Sequence, residues 1–140
     1  MRNPWDKMVS LYHYYQIQTT GPKWKTNSLC FDDWIEILPE LWADARVSYK
    51  FPLILYTNQI QMLKNNKGEI DVDFIGRMEN YESDWKFISE KLDIKEEKKL
   101  VHYNATEREK DYRIYYKKTE TIEIVRNWHE EDIRYFNYEF

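Results

Sequence analysis

The chain has 140 residues, 42% of them hydrophobic and 33% charged, with a formal net charge of −4. That balance suits one globular domain with its own core and excludes a disordered chain, and the negative charge argues against a nucleic-acid partner. Cys30 is the sole cysteine, which excludes an internal disulfide; three scattered histidines offer no zinc spacing, so no metal is expected, and no signal peptide or membrane-length apolar run is present.

Met1 to Ser10 read as a strand end turning sharply into a helix. Asn3 suits the N-cap, because its side chain can accept from an otherwise unpaired helical amide, and Pro4 suits the first helical position, where a missing N–H costs nothing. The helix is expected over Pro4 to Ile17, with Trp5, Met8, Val9, Tyr12 and Tyr15 toward the core. Free amides and the helix dipole favour an anion at such a start. Arg2 lies just before it and Ser10 about two turns on, which is what a phosphate group needs. A capped helix with a solvated arginine explains the same residues.

Thr19-Thr20-Gly21-Pro22 ends this helix, and a loop with Lys23, Trp24 and Lys25 follows. Phe31 to Leu38 read as a short helix limited by Pro39. Asn65-Asn66-Lys67-Gly68 is a turn signal, after which Ile70, Val72 and Phe74 alternate with Glu69, Asp71 and Asp73 as a half-buried strand. Gly76 lets the backbone bend. Arg77 and Glu79 follow at the strand's C-terminal end, where open α/β sheets hold ligands; an ion pair fixing the loop is the alternative. Asn80 or Ser83 caps a helix reaching about Leu92, with Trp85, Ile88 and Leu92 as its apolar stripe. Lys91 to Lys99 form a charged face, and Val101 to Lys110 a charged loop. A last helix is expected over Thr121 to Phe136, with His129 packed on its apolar face rather than acting as a base. The expectation is a single domain over residues 1–140, mostly helical with a few strands.

Arg2-Asn3-Pro4-Trp5-Asp6-Lys7-Met8-Val9-Ser10, continued by Leu11-Tyr12-His13-Tyr14, resembles the 3′-phosphate-binding motif of sulfotransferases, which use 3′-phosphoadenosine 5′-phosphosulfate (PAPS) as sulfate donor. Val72 to Asn80 followed by Asp84, His102 to Thr106 followed by Tyr112 and Tyr116, and the ending Asp132 to Phe140 resemble the carbohydrate, heparan-chondroitin, family-2-like branch. The resemblance implies an α/β fold, part of the P-loop-NTPase-like parallel sheet with helices on both sides. It also implies PAPS as co-substrate without a metal, and a carbohydrate hydroxyl as acceptor. It assigns the 3′-phosphate to Arg2 and Ser10, places Arg77 near the cofactor, and puts Asn104, Thr106, Arg108 and Lys110 in a loop that closes over the nucleotide. Where many relatives read Pro-Gln, this chain has Asn58-Gln59, so no acceptor contact is assigned to Gln59.

One departure matters. The family's loop resembling K-x-[GA]-[ST]-[ST], which cradles the 5′-phosphosulfate, occurs nowhere in the 140 residues. The chain therefore reads as the C-terminal portion of a sulfotransferase domain, expected to be inactive by itself. It would be cytoplasmic as it stands, and at the Golgi membrane if it belongs to a longer animal-type protein. No catalytic residue is assigned; His13, Glu36 and Glu79 are bases by type only. A non-catalytic remnant that binds nucleotide or sugar is the alternative to an enzyme.

Overall fold

A computed structural model of the chain describes residues 1–17, 29–45, 58–94 and 107–140. The expected helix end at Thr19–Pro22, the loop with Lys23, Trp24 and Lys25, most of the charged face of Lys91 to Lys99, and Asn104 and Thr106 lie outside the described residues. Five helices carry the described fold: α1 (Pro4–Ile17), α2 (Phe31–Ala45), α3 (Tyr81–Lys91), α4 (Thr119–Trp128) and α5 (Glu130–Phe136). Short 3₁₀ turns at Gln59–Leu63, Met78–Asn80 and Tyr112–Tyr115 connect them. Among the described residues, no helix is long and apolar enough to cross a membrane.

α1 is the central element. Asn3 caps it as expected: its Oδ1 accepts from the amides of Trp5 (3.0 Å) and Asp6 (3.4 Å). The Asn3 amide nitrogen ties the same corner to the C-terminus, donating to the Glu139 carbonyl (3.1 Å) and the Tyr112 hydroxyl (3.3 Å). Trp5, Met8, Val9 and Tyr12 are buried against Phe31, Trp34, Ile35 and Leu38 of α2, Val125 of α4, and Tyr116. Tyr15 packs at the edge of that core. Two polar groups within it are matched: Trp5 Nε1 donates to the Ile122 carbonyl (3.1 Å), and the Tyr116 hydroxyl donates to the Trp5 carbonyl (3.0 Å), whereas Trp34 Nε1 has no hydrogen-bond partner among the described residues. Buried Asp32 joins α2 to α4, accepting from Lys117 N (2.9 Å) and Thr121 Oγ1 (2.5 Å).

Three expectations are corrected. Pro39 does not limit α2, which runs on to Ala45 with the proline inside it. A proline inside a helix removes its own N–H bond and crowds the carbonyl four residues back, at about 3 kcal/mol; Pro39 is itself exposed, while four apolar side chains of the helix are buried. The last helix is not continuous. It breaks at His129, whose φ of −119° and ψ of 27° leave helical geometry. There Asn58 Oδ1 takes the Asp132 amide (3.0 Å), and the Asp132 carboxylate accepts from Gln59 N (2.7 Å) and Ile60 N (2.8 Å). A side chain thus replaces the helical ladder so that α5 can cap the Gln59–Leu63 turn.

The third correction is the strand. The turn at Asn65–Gly68 forms, with Gly68 at φ +80°, a left-handed conformation that glycine adopts freely. Beyond it only an isolated antiparallel bridge, Lys64 to Ile70, is present. Val72 and Phe74 are exposed: among the described residues no second strand pairs with this segment, and Phe87 of α3 lies against Phe74 without burying it. α3 begins at Tyr81 without a side-chain cap from Asn80. Of its expected stripe, Trp85 and Ile88 are half-buried while Leu92 is 67% exposed.

Extended pairing occurs elsewhere. Met1 N donates to the Gly76 carbonyl (2.6 Å), and Met78 N donates to the Met1 carbonyl (2.7 Å). One residue bonding to both neighbours of its opposite number is the parallel pattern, here Met1 beside Arg77. Arg77 is itself extended, and its amide turns away to Asp84 Oδ2 (2.7 Å). This is a single rung between the residues entering α1 and the Gly76–Met78 segment, and no strand is assigned there.

Candidate anion-binding site

Helical spacing places Arg2, Asp6, Ser10 and His13 along one stripe of α1 and its N-terminal approach. Arg2 Nε donates to Asp6 Oδ2 (2.6 Å), and Arg108 Nη2 donates to Asp6 Oδ1 (2.7 Å). One carboxylate of α1 thus bridges two guanidinium groups, one from just before the helix and one arriving from 102 residues away. The cluster is half-buried and has a surplus positive charge, so it attracts an anion. Arg108 Nη1 is buried without a hydrogen-bond partner among the described residues, a donor that still requires an acceptor.

The Arg2 backbone is fixed as firmly as its side chain. Its N–H donates to Gln59 Oε1 (3.1 Å), and its carbonyl accepts from Gln59 Nε2 (2.8 Å). Gln59 is held in turn by Asp132. Gln59 thus positions the arginine rather than facing an acceptor, a role that the local sequence does not signal. Ser10 lies two turns along the helix and is partly exposed.

The other expected residues are not all drawn in. Lys110 is exposed. The Arg77 guanidinium stacks on the rings of Phe136 (5.5 Å) and Tyr138 (5.4 Å). It makes no ion pair with Glu79, whose carboxylate accepts the Asn3 amide (2.5 Å) instead. Glu36 is engaged by Lys118 (3.0 Å). Of the bases by type, only His13 borders the cluster. Its pKa is lowered by burial first and by the Arg108 charge second, so the ring is neutral at pH 7. Among the described residues there is no group of three acidic, cysteine or histidine side chains that could hold a metal.

A sequence model described as Sulfotransferase family matches residues 1–139. The chain belongs to the sulfotransferase family. No curated protein and no solved structure matches it. Membership, of the family-2-like kind, supports a sulfotransferase function in general. The stripe formed by Arg2, Asp6 and Ser10 is the part of this chain whose geometry has the clearest chemical meaning: a cationic, partly enclosed seat at a helix start.

Proposed function

We propose that this sulfotransferase binds the 3′-phosphate of PAPS at Arg2, Ser10 and Arg108, for transfer of sulfate to a carbohydrate hydroxyl. The observation that carries the reading is the buried, unpartnered Arg108 Nη1 beside a carboxylate outnumbered by two guanidiniums. A phosphate dianion satisfies that donor and balances the surplus charge. PAPS supplies the sulfuryl group when bound; the residues of this chain grip and orient its nucleotide end. The parallel pairing of Met1 with Arg77 fits the edge of a P-loop-type sheet, whose strand ends are where such ligands sit. Lys110, Asn104 and Thr106 belong to the same reading as residues of a covering loop, and Arg77 as a residue that organises the strand end under the site.

The test uses two nucleotides. A charge-assisted contact contributes on the order of 1.5–3 kcal/mol. Arg2→Ala should weaken adenosine 3′,5′-bisphosphate binding by roughly tenfold to a hundredfold, while AMP, which lacks the 3′-phosphate, is barely affected. Equal losses for both nucleotides in calorimetry would sink the assignment.

A second reading has its own observation. The 140 residues contain no Lys-x-[Gly/Ala]-[Ser/Thr]-[Ser/Thr] sequence to hold the 5′-phosphosulfate. They would then bind nucleotide or sugar without turnover, and bisphosphate binding without sulfate transfer distinguishes this case.

A further inference from the structure

His13 continues the stripe of Arg2, Asp6 and Ser10, one turn beyond the serine. Its ring is clamped edge-to-face by Tyr115 (5.0 Å between centroids, 82°) and by Tyr12 (5.4 Å, 81°). Tyr115 is tied to the segment that carries Arg108, because its hydroxyl accepts the Glu109 amide (3.1 Å). The histidine and the arginine are thus set in one small framework. His13 Nε2 is buried and, among the described residues, has no hydrogen-bond partner; the same is true of Arg108 Nη1.

Two orphaned nitrogens held in one framework define the missing chemistry. The guanidinium can only donate. With its proton on Nε2 the imidazole can donate as well, and both groups then need an acceptor. A phosphate oxygen supplies it without breaking any bond already made. Enclosure strengthens both contacts, since water does not compete there.

We propose that His13 is a phosphate-binding residue, donating through Nε2–H beside Arg108 Nη1 to an oxygen of the phosphate monoester gripped on its other side by Arg2 and Ser10. This rests on the reading given above and extends it to a residue that the sequence offers only as a base by type. The role is that of a neutral donor, which discriminates a multi-oxygen phosphate monoester from a free ribose hydroxyl.

The test measures adenosine 3′,5′-bisphosphate and AMP binding by calorimetry for the wild-type protein, Arg2→Ala, His13→Phe and His13→Gln. His13→Phe keeps the aromatic packing and removes the donor. It should weaken bisphosphate binding about tenfold and leave AMP unchanged. His13→Gln keeps an N–H at similar reach and should stay within about threefold of wild type. Imidazole ¹⁵N spectra should show the His13 Nε2–H becoming slow to exchange on adding the bisphosphate, and not on adding AMP. Undiminished bisphosphate affinity in His13→Phe, with Arg2→Ala still impaired, overturns the role of His13 and leaves the site standing. A wild-type protein that binds neither nucleotide, or does not prefer the bisphosphate, overturns both. Should His13→Phe fail to fold by circular dichroism, the imidazole spectrum of the wild type decides, and an unchanged Nε2–H signal overturns the proposal.

Discussion

Lys7 and His129 are two basic side chains inside a core that offers them no hydrogen bond. Lys7 Nζ and both His129 ring nitrogens are buried without hydrogen-bond partners among the described residues, the Asp132 carboxylate lying 3.8 Å from His129 Nδ1. Burial lowers the Lys7 pKa to about 8, with Asp132 partly offsetting, and burial together with the Lys7 charge lowers that of His129 to about 3. For a base depressed by folding, the unfolded chain binds more protons between the folded and unfolded pKa values, so stability rises with pH across that window. The windows are about 3 to 6.5 for His129 and about 8 to 10.5 for Lys7. At pH 7 His129 is therefore neutral and harmless, whereas Lys7 is still charged and costs stability. Lys7→Met, which keeps the stem and drops the ammonium, should stabilise the fold at pH 7 by about 1–3 kcal/mol and abolish the rise between pH 8 and 10.5. Urea unfolding across that range checks it. A loss of stability at pH 7 would mean that the ammonium has a favourable partner.

Elements differ in how much of them the sequence reveals. α1 is legible from end to end because its signals are local: a capping asparagine, a proline at the first position, and apolar residues at helical spacing. The half-buried strand at Glu69–Phe74 is misread because alternation describes what a strand needs, not whether a partner is there to cover it. Likewise the break between α4 and α5 has no local cause. It exists because Asp132 serves a turn more than 70 residues away, accepting three hydrogen bonds from Gln59 and Ile60. The candidate site shows the same division. Arg2 and Ser10 are legible from one helix, whereas the Asp6 bridge to Arg108 and the grip of Gln59 on Arg2 depend on contacts between distant segments. Asp132→Ala leaves buried donors without an acceptor and should cost about 2–4 kcal/mol. Hydrogen exchange at the Gln59 and Ile60 amides should accelerate, and Arg2, losing its Gln59 support, should bind the bisphosphate less tightly. Unchanged exchange at those two amides would show that the turn is held by something else.

At the scale of the molecule, the cation cluster and the core lie on α1, while Met62, Val72, Phe74, Met78, Tyr81, Phe87, Leu92 and Ile94 are exposed large apolar side chains. Phe74 and Phe87 even stack on each other, 5.1 Å between centroids, at that surface. Exposed apolar surface of this extent promotes association, and the parallel pairing at Met1 is a single rung, which adds little rigidity. Sulfate transfer makes a further demand, namely positive charge and amides on the leaving oxygen. In the family this comes from the loop whose sequence is absent from these 140 residues. Removing one such donor typically slows catalysis by ~100- to 1000-fold, and here several are missing together. The 140-residue chain, purified and given PAPS with a panel of glycan acceptors, should therefore show no transfer above background while still preferring adenosine 3′,5′-bisphosphate to AMP. Light scattering at rising concentration should show self-association through the exposed apolar side chains, and substituting Phe74 and Phe87 together with serine should reduce it. Turnover from a monodisperse preparation would demonstrate that other residues of this chain supply the leaving-group charge, with exposed Lys110 the first to substitute.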